Sequence, residues 1–109
     1  MARLAKPPRS FEAFVARYPK LGAAWELLGE GAAEAGPLDE KTQRLVKLAL
    51  ALATRQEGAT HSGVRKALAA GATLAELEQV VALAASLIGL PATVAAFQWV
   101  QEEAGGGAR

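Results

Sequence analysis

The chain has 109 residues, enough for one modest hydrophobic core and too few for two. Its hydrophobic fraction of 51% is carried mostly by Ala, Leu and Val, with 26 alanines and only 6% aromatics, a balance that favours helices over strands. Twelve basic against eleven acidic residues leave a net charge of +1 with no basic block, which argues against nucleic acid as a partner. Cysteine is absent, so disulfides, thiolate catalysis and thiolate-held metals are excluded within this chain.

Residues 1–9, with Pro7 and Pro8, read as an irregular arm. Ser10 can cap a short helix from Phe11 to about Tyr18, with Phe11, Phe14 and Val15 on one face. Pro19 stops it and suits the first turn of a second helix, Lys20 to about Glu34, striped by Leu21, Trp25 and Leu28. Ala35-Gly36-Pro37 is a break. Asp39 caps a third helix that runs to about Arg55, and its segment 45–53 is apolar on nearly every side, the mark of a central element.

Gly58 marks the next break, followed by a fourth helix from about Ala59 to Ala70, which Gly71 terminates. Thr73 and Glu76 have the spacing of a capping box and open a fifth helix, Leu74 to about Ile88. Gly89 and Pro91 separate it from a sixth, Ala92 to about Glu103, and residues 105–109 read as a flexible tail. The expectation is an all-α protein of about six helices, with a single domain over 10–104. Two helices apolar nearly all round exceed what so small a monomer can cover, which predicts burial between subunits. Trp25 and Trp99 are expected to be core or interface anchors, and Tyr18 to be structural.

From Leu38 to Phe97 the order of pieces becomes specific. An Ala/Leu helix leads to Arg55-Gln56-Glu57-Gly58-Ala59-Thr60-His61, a helix ends in Ala67-Leu68-x-x-Gly71-Ala72-Thr73, and a Gly89-x-Pro91-Ala92 turn follows. This arrangement resembles the carboxymuconolactone decarboxylase and alkylhydroperoxidase-D family. The resemblance implies a fold built on a helical hairpin and assembly into trimers or hexamers. It also implies either a C-x-x-C-x-x-x-H peroxidase motif with an upstream glutamate, or acid–base chemistry on a lactone. Carried over by position, the two cysteines fall on Gln56 and Ala59, the motif histidine on Gly63 and the glutamate on Arg44. All four differ. A peroxide-reducing thiol mechanism needs a sulfur nucleophile, and an amide at position 56 supplies none.

His61, the only histidine, is the candidate acid–base catalyst, with Glu57 as a second catalytic candidate. A helix-start histidine bonded to backbone or solvent is the plainer alternative, and with it a non-catalytic helical oligomer that binds a small ligand or a protein partner. Arg44 and Gln56 are candidates for binding a small carboxylate, with Arg44 and Glu57 able to pair across one pocket; the plainer alternatives are a surface salt bridge between those two and a Gln56 that satisfies the backbone at the helix end. Thr60 and Ser62 are read as caps. One histidine among scattered carboxylates is a poor supply of metal ligands, so neither metal nor cofactor is expected. No apolar run approaches the roughly 18 residues of a membrane span, and no signal-peptide pattern opens the chain, so a soluble cytoplasmic protein is expected.

Overall fold

The computed structural model describes residues 9–106, which form six α-helices and no strand among them. They divide between Leu38 and Asp39 into two compact units, where the sequence suggests one domain over 10–104. The first holds α1 (Arg9–Arg17) and α2 (Pro19–Glu34). Pro19 at the start of α2 needs no amide partner, so the chain turns directly from one helix into the next. Gly22 lets the two helices close on each other, since a Cβ there would stand 3.1 Å from Cβ of Val15. Phe14 and Tyr18 meet ring to ring at 5.1 Å. Neither helix buries a residue fully, and Trp25 is exposed, so it is no core anchor within this chain.

The second unit is a bundle of α3 (Glu40–Ala53), α4 (Glu57–Ala69), α5 (Leu74–Ile88) and α6 (Leu90–Gly106). Helix α3 packs against α4 and α5, and α6 against the same two, which closes a four-membered ring. Its core is Leu48 and Leu52 from α3, Val64 and Ala67 from α4, Leu77 and Val81 from α5, and Ala96 and Val100 from α6. Trp99 packs on this core from the side. The arm and most of the tail suggested for 1–9 and 105–109 lie outside the described residues, but Arg9 begins α1, and α6 continues through Gly105 to Gly106.

The caps explain the boundaries. Asp39 accepts the Thr42 amide at 2.9 Å, and Thr73 and Glu76 form the reciprocal capping box. Helix α4 ends on Gly71 at φ +100, where amides 71 and 72 bond back to the carbonyls of Leu68 and Ala67. Helix α3 ends in the same way with a less obvious residue. Arg55 takes the left-handed position at φ 61, and amides 55 and 56 bond back to Leu52 and Ala51. The break therefore lies at 54–56 and not at Gly58, which sits inside the first turn of α4. A search for glycine stops misses it because the stop is an arginine.

A charge centre beside the turn of the hairpin

Ending α3 on Arg55 places Glu57 at the first position of α4, one turn before His61 on the same face. Helix α6 packs against α4 and brings Glu102 and Glu103 to this face from its last turns. The His61 Nδ1 lies 2.9 Å from Oε1 of Glu103, whose other oxygen takes Nη1 of Arg65 at 3.3 Å. On the far edge of the ring, Nε2 stands 3.5 Å from Oε2 of Glu57 and 3.9 Å from Oε1 of Glu102. Gln98 donates to the second oxygen of Glu102 at 3.0 Å. His61, Arg65 and Glu103 are half-buried, while Glu57 and Glu102 are exposed. The result is a graded site, fixed on the Nδ1 side and open on the Nε2 side.

Of the four residues singled out from the sequence, His61 and Glu57 come together and the other two do not join them. The contact of Gly63 with Leu48 sets the hairpin register and puts Arg44 level with about Ala67. Ten residues of helix, roughly 15 Å, then separate it from Glu57. Among the described residues no ion pair joins Arg44 to Glu57, and Arg44 instead adds to the positive field around Lys66. Burial holds the Lys66 ammonium below its ordinary value, and Arg44, Lys47 and Arg65 lower it further. Gln56 is occupied locally: its Nε2 donates to Thr54 Oγ1 at 2.9 Å and its carbonyl accepts from both amide and hydroxyl of Thr60. It closes the turn between α3 and α4. Thr60 is fully buried and bonds back into its own helix.

Glu102 and Glu103 were not singled out, although the sequence carries a signal for them. Two adjacent carboxylates near the C-terminal end of a helix oppose its dipole, an arrangement that calls for nearby positive charge. Position 63 is equally informative. Where the family resemblance would put a motif histidine, a glycine lets α4 lie against Leu48, and a Cβ there would stand 3.3 Å from Cδ1 of that fully buried leucine. In this chain that position is a place of contact between helices.

The carboxymuconolactone decarboxylase family model matches residues 19–102. The chain belongs to that family. It is also 45% identical over 49 residues to an uncharacterised protein of Haemophilus influenzae, a match that spans 45% of this chain and 43% of the relative. Within the family this chain is cysteine-less, so the thiol route is closed to its own residues.

Proposed function

We propose that this family member is a cysteine-less acid–base enzyme whose working centre is His61 with Glu57, Glu102 and Glu103, acting on a small oxygen-bearing acid or lactone. The observation that carries this reading is the Glu103–His61 contact at 2.9 Å, which orients the ring and leaves Nε2 facing the open side. A charged, half-buried surround favours proton transfer over the apolar pocket that a purely binding role would call for. Arg44 does not serve as the carboxylate clamp for this centre within one chain, since it stands with Lys47 and Lys66 further along the hairpin. The test is turnover of a panel of lactones and keto acids. His61→Ala abolishes it with the helical content unchanged, and Glu103→Gln reduces it while leaving KM near its original value. Absence of turnover across the panel in the unmodified protein removes the reading.

The working form is proposed to be a homotrimer or homohexamer. Three helices of the bundle leave apolar faces in solvent: Val46 and Leu50 on α3, Leu83 and Leu87 on α5, and Leu90, Val94 and Phe97 on α6. Residues four or seven apart lie on one helix side, so these are stripes and not scattered exposures. Among the described residues no helix is long and apolar enough to cross a membrane, which leaves other subunits as the natural cover.

A further inference from the structure

We propose that Glu57, His61 and Glu102 are the protein ligands of a divalent transition-metal ion. The inference rests on reading the His61 cluster as the working centre. It adds that the proton is moved by a metal-held water and not by the imidazole itself.

One donor atom from each of the three side chains lies within 4.8 Å of the other two. The distances from Nε2 to the carboxylates, 3.5 and 3.9 Å, approach the roughly 3.4 Å between ligands of a tetrahedral shell with bonds near 2.1 Å. Glu57 and Glu102 are exposed and can close the remainder by rotation about their own side chains.

The ring's protonation supplies a separate argument. Glu103 can only accept, so the Nδ1 at 2.9 Å carries the proton, and in the neutral ring Nε2 is left with a lone pair. That lone pair faces two carboxylates. Three acceptors thus converge with no donor among them, an arrangement that repels itself unless a cation or a second ring proton sits between. Glu102 lies near the negative end of α6, which deepens the negative potential at this point. The carboxylate on the far side of a metal-binding imidazole is a recurrent support, because it fixes the tautomer and raises the basicity of the ligating nitrogen. Here that support is Glu103, itself held by Arg65 at 3.3 Å.

One nitrogen and two carboxylate oxygens suit zinc, manganese or ferrous iron better than magnesium or calcium, which prefer oxygen alone. Three protein ligands leave a position for water, whose pKa falls towards neutrality on such an ion.

The experiment is titration of chelator-stripped protein with Zn2+ by calorimetry and with Co2+ by visible absorption, with circular dichroism confirming the fold of each variant. One equivalent of metal per chain is expected. His61→Ala should abolish binding, and Glu57→Gln and Glu102→Gln should each weaken it at least tenfold. Glu103→Gln should weaken it about 10–100-fold without removing a ligand. No binding, or binding unchanged by His61→Ala, overturns the metal site. Turnover by stripped protein that His61→Ala destroys overturns the metal-held water as the proton carrier and leaves the acid–base reading standing. Stoichiometric binding that depends on His61, without turnover of any substrate, upholds the site and removes the enzymatic reading.

Discussion

A side chain at position 63 has to share its space with Leu48, whose Cδ1 would lie 3.3 Å and Cα 3.5 Å from the new Cβ. Gly63→His should therefore cost about 2–3 kcal/mol, read as a lower midpoint in urea, because a fully buried leucine has nowhere to yield. Arg55 is the opposite case. Its φ of 61 is a conformation that glycine adopts freely, so Arg55→Gly should raise stability by up to about 1 kcal/mol in the same measurement. Lys66 is crowded by Arg44, Lys47 and Arg65 and partly desolvated, so its folded value lies below its ordinary 10.5. The unfolded chain then binds more protons than the folded one over that interval, and stability rises with pH through it. Lys66→Met should flatten that alkaline rise and be neutral to slightly stabilising at pH 7, by under about 1 kcal/mol because solvent still screens this half-buried group.

At the scale of elements the caps carry the measurable energy. Thr73→Ala removes the acceptor at the start of α5 and should cost about 1 kcal/mol in thermal or urea unfolding. The Glu76 carboxyl is held below its ordinary 4.5, first by the Lys41 ammonium at 2.9 Å and then by the Thr73 amide. A depressed carboxyl stabilises the fold above its unfolded value and loses that contribution as pH falls through the folded one. Acid titration should therefore lower the melting temperature below about pH 4.5, with a smaller slope in Glu76→Gln. These helix starts were legible because Asp39, Thr73 and Glu76 act on amides within three residues of themselves. The end of α3 near Arg55 was legible too, but the start of α4 was not, since a left-handed arginine leaves no compositional trace and draws the break to Gly58. The charge centre was half legible. Glu57 and His61 are four apart on one helix, whereas Glu102 and Glu103 reach them only through the packing of α6 on α4. Arg44 was misplaced for the same reason in reverse, since a pairing with Glu57 ignores the hairpin register.

Across the whole molecule, apolar surface exceeds what the four-helix ring can enclose. Leu87 is 87% exposed and Leu90 69%, side by side with α5 and α6 stripes that a monomer leaves wet. Light scattering should give a mass of three or six times 11.3 kDa, and Leu87→Glu should lower it towards a single chain while the circular dichroism spectrum is kept. A wild-type mass of 11.3 kDa would count against the assembly. The family and the all-helical fold could both be read from the order of segments along the chain. The fit between subunits could not, because periodicity marks a face as apolar without saying what meets it.

The closeness of Gly63 to Leu48 also orders any path from this chain to a sulfur enzyme. Thiols installed at positions 56 and 59 would meet no imidazole at 63, and an imidazole installed first would strain the hairpin that presents them. Cutting Leu48 back to a smaller residue would relieve that strain, but the step alone opens a cavity in the core. Each intermediate along the way is less stable or no more active than its parent. The glycine therefore works as a ratchet: a single missing side chain makes thiol chemistry hard to build into this chain one substitution at a time.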